Sequence, residues 1–330
     1  MNKIKFWFKN ARPTALPQSM FPSILAVCLA VSSAGFSWWL ACCAVLGVVA
    51  AHLSLNLFDD YYDYIKKKSD YRDDLVHEGF RARIGKCTYL TSGEANLKQL
   101  LAACLIFATI ALFFGSIVFY YRGIFVFYIA AITAVLGLFY SAPPLRLSYH
   151  GFGELLIGLI FGPLNMLGTY YAACGEINPT IILISIPVGL LVMNIVYVHS
   201  ILDFIPDKKI GKRTLAVLMN NTTAMLVVLF FVVFVPFALI AYGIIAGHLS
   251  IYYSFVFFTL PMAISLFYLM VEFVKNPGKK FSPSFWMGPM NNWKAIEKYG
   301  IDWFMIRWLS ARNLLSFFCI IIMLVSIIYT

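Results

Sequence analysis

The sequence predicts an all-α membrane protein with nine transmembrane helices, formed as a single domain over residues 1–330. Hydrophobic residues make up 61% of the chain and charged residues only 12%, about half the charged fraction of a soluble domain. The apolar residues also form long, uniform runs instead of the alternating pattern of barrel strands. Because no water satisfies backbone groups inside a bilayer, such runs must be helices that face lipid.

Apolar windows place the nine spans, since about 20 helical residues cross the hydrocarbon core. The windows lie at 16–36, 38–58, 98–119, 123–140, 153–173, 180–201, 222–246, 250–273 and 311–329. Four long polar loops are predicted at about 59–97, 141–152, 202–221 and 274–310. The remaining connections are short.

The basic residues give the orientation of these spans. The chain contains 25 Lys and Arg residues, and among them only Arg122 falls in a short connection. The others lie in the N-terminal tail, in the long loops or at the adjacent span ends. Nine spans place all those regions on one side, which the positive-inside rule makes cytoplasmic. We therefore expect a cytoplasmic N-terminus and basic loops that face the lipid bilayer's anionic headgroups. No pattern typical of nucleic-acid binding accompanies the net charge of +10.

An acidic cluster follows the second predicted span. If the helix continues past the membrane, Asn56, Asp60 and Asp63 lie at positions i, i+4 and i+7 on one face, with Asp59 beside them. Like charges at this spacing repel each other, so a cation is expected among the carboxylates. Hard oxygen ligands that leave coordination positions open suit Mg²⁺ shared with phosphate oxygens.

A second acidic pair, Asp203 and Asp207, lies at the end of the sixth span, again at i and i+4. The basic stretch 208–213 follows at once and includes Lys212 and Arg213. Carboxylates that hold a metal, next to cations that hold phosphate, are what a diphosphate leaving group requires. The two clusters are therefore interpreted as halves of one Mg²⁺–diphosphate site.

Two other interpretations of the acidic residues remain open. Charged residues at span ends are often simply solvated at the level of the headgroups. Intramembrane carboxylates also mark the ion paths of cation-coupled transporters, although such proteins prefer acids near the bilayer midplane and broken helices.

Four segments in a fixed order then point to a family. They are the run NLFDDYYD from Asn56 with Asp70 after it, the run YSAPPLRL from Tyr140 followed by YHGFGE up to Glu154, the run PVGLL from Pro187, and the run DFIPDKKIGKRTLAV from Asp203. These segments resemble the UbiA superfamily of intramembrane prenyltransferases, and within it the subgroup that acts on 1,4-dihydroxy-2-naphthoate in menaquinone synthesis. Glu154 favours that subgroup. Asp59 departs from the family pattern, which usually has Asn there, and so do His199, Ser200 and Leu202.

The resemblance implies a UbiA-like bundle in a bacterial inner membrane, with the active site facing the cytoplasm. It implies Mg²⁺-dependent transfer of a polyprenyl group from polyprenyl diphosphate to an aromatic acceptor, 1,4-dihydroxy-2-naphthoate, with decarboxylation. A UbiA-type enzyme with another acceptor, such as hydroxybenzoate, homogentisate or a lipid alcohol, remains an alternative.

Roles for individual residues follow as hypotheses. The expected metal ligands are Asp59, Asp60, Asp63, Asp203 and Asp207. The expected diphosphate-binding residues are Asn56, Arg83, Lys86, Lys212 and Arg213. Tyr140, together with Tyr149, would shield an allylic cation with its ring face, and Arg146 would pair with the acceptor's carboxylate.

Overall fold

The computed structural model describes residues 3–65 and 87–329. These residues form helices joined by turns, and no β-strand occurs in either described range. Eight helices of the described residues are long and apolar enough to cross a membrane. Together with a shorter helix, α1 (Pro17–Ala30), they are α2 (Trp38–Ile65), α3 (Leu97–Arg122), α4 (Ile124–Ser141), α5 (Gly153–Cys174), α6 (Pro179–Leu202), α7 (Thr222–Ile245), α8 (Ile251–Lys275) and α9 (Asp302–Ile328).

Two of the nine predicted spans differ from the structure. Helix α1 has 14 residues, about 21 Å of helix, which is shorter than the ~30 Å hydrocarbon core. The prediction of nine full crossings is therefore not confirmed. The window 16–36 had included the turn after Ala30, where Ser33 Oγ lies 3.2 Å from the Tyr170 hydroxyl and the Ser37 N–H donates to the Ala173 carbonyl. Helix α9 begins at Asp302 instead of residue 311. The charged Arg307 is accommodated within it because its guanidinium donates hydrogen bonds to the carbonyl oxygens of Leu269 and Trp303.

Short helices fill the connections. They are Lys3–Asn10, Pro13–Ala15, Thr88–Thr91, Leu147–Tyr149, Phe204–Lys209, Leu215–Met219, Phe285–Met287 and Trp293–Lys298. The last two lie in the predicted 274–310 loop, which folds onto α8 and α9. Met287 packs with Leu269 and Ile306, and the Asn313 side chain donates to the carbonyls of Met287 and Pro289.

Helix α6 is the centre of the bundle. Of its apolar window 72% is buried, against 6% for the peripheral α4, and it packs against α5, α7 and α9. The contact with α5 is made by glycines. A Cβ added at Gly162 would lie 2.2 Å from the Gly189 Cα, and one at Gly158 would lie 2.8 Å from the Gly189 carbonyl oxygen. Small residues of this kind allow two helix backbones to approach closely in a membrane.

The two ends of the bundle differ. At one end Arg122 joins the short turns, because its guanidinium donates to the carbonyls of Ala172, Ala173 and Gly35 at 2.7–2.9 Å. Since successive long helices alternate in direction, the long connections and the N-terminal segment lie at the other end. Helix α2 continues to Ile65, which confirms that the first acidic cluster is helical. Both clusters lie at the end with the long connections.

Candidate active site

A cavity of about 460 Å³ lies at the end of the bundle with the long connections. Residues of α2, α4, α5 and α6 line it, together with the N-terminal segment. The lining includes Asp59 and Asp60 from the first acidic cluster, and Asp207 with Lys212 from the second. The two clusters therefore meet at one cavity.

The cavity lining changes from polar to apolar over about one helical turn. On α2 it changes between Asn56 and Leu55, and on α5 between Glu154 and Ile157. Helices α4 and α6 make the same change. His52 is a polar residue deeper on α2, and its Nδ1 lies 2.7 Å from Ser19 Oγ. The apolar part is lined by Leu55, Gly137, Leu138, Ile157, Ile160, Phe161, Ile195 and Val196. A ligand with a charged head and a hydrocarbon tail matches this division.

Arg12 lies between the carboxylates of the first cluster. Its Nη2 atom is 3.1 Å from Asp59 Oδ2 and 3.3 Å from Asp60 Oδ1, and it donates to the Asn56 carbonyl at 2.6 Å. Partial burial disfavours the charged guanidinium, but the attraction of Asp60 and Asp59 outweighs this cost and raises the pKa of Arg12. A side chain of the N-terminal segment therefore neutralises these acids.

Three hydroxyl groups complete the first cluster. Tyr89 donates to Asp60 Oδ2 at 3.1 Å, Ser141 to Asp59 Oδ1 at 2.5 Å and Tyr149 to Asp63 Oδ1 at 2.5 Å. Burial and the negative charge of Asp60 raise the pKa of Tyr89, so this phenol remains a hydrogen-bond donor. Charge-assisted bonds of this type fix the carboxylates in place.

The second cluster is held by its own turn. The backbone N–H of Asp207 donates to the Asp203 carbonyl, and that of Lys212 donates to the Asp207 carbonyl. Asp203 is buried but does not line the cavity; its Oδ2 is 3.4 Å from His199 Nε2. The Lys212 ammonium lies 5.8 Å from the ring centre of Tyr149, the residue that donates to Asp63. This contact connects the two clusters.

The remaining predicted residues fall into two groups. Tyr140 and Asn56 line the cavity, although the Asn56 amide donates to the Ala11 carbonyl. Arg146 and Arg213 do not line it, so their roles stay predictions. Arg83 and Lys86, like Asp70 of the family motif, lie outside the described residues.

The donor set fits Mg²⁺ shared with a substrate. Within the described ranges no three acidic, His or Cys side chains form a group that would hold a metal alone. Mg²⁺ is commonly bound by one or two carboxylates, with phosphate oxygens and water completing its shell. Asp59, Asp60 and Asp207, which line the cavity, supply hard oxygens of that kind.

Sequence reasoning missed several residues of this cavity. Arg12 had counted only as one of the basic residues that set the topology, and Tyr89 belongs to no motif. Glu154 had served only to mark a subgroup. In the structure its Oε1 accepts hydrogen bonds from Ser200 Oγ at 2.5 Å and from the Leu215 N–H at 3.1 Å. Only the family motif that ends at Glu154 had signalled that this residue mattered.

Comparisons with known proteins agree with this architecture. The UbiA prenyltransferase family matches residues 19–293, well over half of the chain. The 1,4-dihydroxy-2-naphthoate octaprenyltransferase of Bacillus subtilis (strain 168) is 29% identical over 213 residues, which are 64% of this chain and 65% of that enzyme. The match therefore spans just under two thirds of that relative.

Two solved structures share the fold. A digeranylgeranylglyceryl phosphate synthase is 17% identical with a TM-score of 0.64, over 99% of each chain. A UbiA homologue from Archaeoglobus fulgidus, solved with GPP and Mg²⁺, is 18% identical with a TM-score of 0.57, over 94% of this chain and 99% of that one. Both confirm the predicted UbiA-like bundle.

Proposed function

This chain belongs to the UbiA prenyltransferase family, and from that premise we propose that it transfers a polyprenyl group from polyprenyl diphosphate to 1,4-dihydroxy-2-naphthoate. The observation that carries the proposal is the single cavity at which two acidic clusters and Lys212 meet an apolar lining. The enzyme is an integral membrane prenyltransferase. We place it in a bacterial inner membrane, with the cavity open to the cytoplasm and the product entering menaquinone synthesis.

The polar part of the cavity would hold the diphosphate. Asp59, Asp60 and Asp207 would hold Mg²⁺, with Asp63 and Asp203 supporting them from just outside the cavity. The bound metal would supply charge neutralisation of the diphosphate leaving group. Lys212 would bind the phosphate oxygens as a point charge.

The apolar part would take the prenyl chain. Once the bond between the prenyl C1 and the diphosphate begins to break, positive charge develops at the boundary between the two parts. Tyr140 lines the cavity at this boundary, and an aromatic face stabilises a desolvated cation by about 1–2 kcal/mol. The side chain would also exclude water from the allylic cation.

The acceptor is the less constrained partner. Support for 1,4-dihydroxy-2-naphthoate comes from the Bacillus subtilis relative and from the sequence motif that ends at Glu154. A phenolic or hydroquinone ring attacks the allylic carbon because its hydroxyl oxygen donates electron density to the ring. Hydroxybenzoate, homogentisate and a lipid alcohol are the alternatives for the same cavity.

The proposal is tested by incubating membranes that contain the protein with labelled polyprenyl diphosphate, Mg²⁺ and a panel of these acceptors. We expect a prenylated, decarboxylated naphthol product. Asp60→Asn and Asp207→Asn should each reduce its formation by about 10²-fold or more, because the developing charge on the diphosphate loses its main stabilisation. Glu176→Gln, an exposed residue at the opposite end of the bundle, is the matched control.

Wild-type rates in both Asn variants would show that the metal assignment is wrong. A product formed only from another acceptor would redirect the proposal to that substrate. Uptake of a solute into proteoliposomes without any chemical product would instead support the transporter interpretation.

A further inference from the structure

Glu154 lines the cavity and has one carboxylate oxygen without a hydrogen-bond partner among the described residues. The residue is 2% exposed and lines the cavity beside Lys212 and Thr214. Its Oε1 atom accepts both of its hydrogen bonds, from Ser200 and from the Leu215 N–H. Its Oε2 atom is buried and has no hydrogen-bond partner among the residues that the structure describes. A buried carboxylate oxygen without a donor costs free energy that a bound donor would recover.

Glu154 also lies at the boundary between the two parts of the cavity. It occupies the first turn of α5, and one turn further along that helix the lining becomes apolar at Ile157. In a prenyl diphosphate bound across this boundary, C1 is the atom that joins the charged head to the hydrocarbon. An acceptor ring must lie against C1 to react. Its hydroxyl group would therefore lie at the level of Glu154.

We propose that Glu154 is the catalytic base that accepts the proton of the acceptor's ring hydroxyl through Oε2. The proposal rests on the proposed function, because it assigns a role in the same reaction. The two bonds to Oε1 hold the carboxylate in one orientation and leave Oε2 as the oxygen that is available to a substrate.

The surroundings of Glu154 suit such a role. The titratable groups that face it are Lys212, from the turn after the second acidic cluster, Tyr140 on α4 and Tyr197 on α6. The hydrogen bonds from Ser200 and from the Leu215 N–H to Oε1 stabilise the ionised carboxylate that a base requires.

The hydroxyl proton moves to Oε2, and the ring carbon that bears the carboxylate forms a bond to C1 of the prenyl group. The C1–oxygen bond breaks, and its electron pair leaves with the diphosphate. The carboxylate then departs as CO₂, its bonding electrons restore the aromatic ring, and the proton returns from Glu154 to the ring oxygen.

The matched variant is Glu154→Gln. Its amide oxygen can still accept from Ser200 and Leu215, while an NH₂ group replaces Oε2. We expect kcat to fall by about 10²-fold or more, with KM for both substrates changed by less than about twofold. The lost rate should return as the pH rises, because the acceptor then ionises in solution. Slow Mg²⁺-dependent release of pyrophosphate in the absence of acceptor should persist, which reports an intact fold and donor site.

Two further variants separate chemistry from structure. Ser200→Ala removes one bond to Oε1 and keeps Oε2, so its pH–rate profile should retain the wild-type shape. Glu154→Asp keeps a carboxylate and should recover at least tenfold over Glu154→Gln. The proposal is overturned if Glu154→Gln has the wild-type kcat and pH profile, or if the Asp and Gln variants are equally impaired at all pH values. If Asp60→Asn is inactive while Glu154→Gln keeps wild-type activity, the proposed function stands and only this role for Glu154 is removed.

Discussion

At the scale of single residues, the occupation of the first acidic cluster by Arg12 has the clearest consequence. One guanidinium neutralises Asp59 and Asp60 at the position where Mg²⁺ is proposed to bind. The two cations repel each other and share the same ligands, so they compete. Binding of the metal then requires Arg12 to turn toward the diphosphate or to leave the carboxylates.

Arg12→Ala should therefore lower the thermal stability of the metal-free protein and increase the stabilisation that Mg²⁺ gives. Removing the partner of two acidic groups costs about 1–3 kcal/mol, which is a decrease of a few degrees in the unfolding temperature. Thermal unfolding in detergent, with EDTA and with Mg²⁺, measures both effects.

Lys5→Ala is the control for this experiment, since Lys5 carries the same charge in the same segment, is exposed and does not line the cavity. It should change neither unfolding temperature by more than about one degree. An Arg12→Ala protein with a smaller Mg²⁺ response than the wild type would contradict the competition.

Tyr89 gives a pH-dependent prediction. Its raised pKa means that the folded state keeps the phenol protonated, so its contribution to stability is complete below about pH 10, the ordinary value for tyrosine. Above that pH the unfolded chain gains by ionising and the contribution is lost. The wild type should be more stable than Tyr89→Phe by about 1 kcal/mol at pH 8, and this difference should shrink between pH 10 and 11. A difference that stays constant across that range would show that Asp60 does not hold the phenol.

At the scale of helices, the close packing of α5 on α6 positions the cavity. Gly158 and Gly162 face Gly189 across this contact, and the same two helices carry Glu154 and Ser200. Any separation of the helices therefore moves the hydrogen bond between these two side chains.

Gly162→Leu should lower both activity and stability, because its side chain would enter the backbone of α6. Overpacking of this kind costs about 1–3 kcal/mol. Gly115→Leu on α3 is the control, since a Cβ there meets no described atom within 4 Å. Unfolding temperature and prenyl transfer of the two variants are compared. Equal behaviour would show that the α5–α6 contact tolerates a side chain.

The helices also show where sequence reasoning succeeds. Long apolar windows located α2 to α8 closely, because lipid-facing residues are uniformly hydrophobic. The end of α1 and the start of α9 were placed wrongly, because partners distant in sequence decide them. In the sequence, Arg307 and Asp302 are charged residues typical of a loop. The structure places them in α9, where the Arg307 guanidinium donates to the Leu269 carbonyl.

At the scale of the whole molecule, the distribution of basic residues and the alternating direction of the helices indicate the same orientation in the membrane. The long connections and the N-terminal segment share one end of the bundle, and we propose that this end is cytoplasmic. In a background without the native cysteines, Lys280→Cys should react with an impermeant maleimide only from the cytoplasmic side, and Glu176→Cys only from the other side. Labelling of both from the same side would refute the arrangement.

The site shows a similar division between what sequence predicts and what it leaves open. Periodicity and charge brought Asp60 and Asp207 to attention, since repeated acids at helical spacing are conspicuous in an apolar chain. Arg12 is a single residue whose significance arises only when segments distant in sequence meet. Arg12 lies 47 residues from Asp59, and no local pattern encodes that contact.

The hydrogen bonds of the Arg122 guanidinium have a consequence for the order of events during biosynthesis. In the proposed orientation, the turn after α3 has to be translocated during synthesis together with its positive charge. Gly35 has already been made by then, but Ala172 lies 50 residues further on and is added on the order of 3–10 s later at typical rates of translation. For that interval two of the three carbonyl acceptors of Arg122, those of Ala172 and Ala173, do not yet exist. The hydrogen bonds that join the turn after α3 to the end of α5 can therefore form only after α5 has been synthesised.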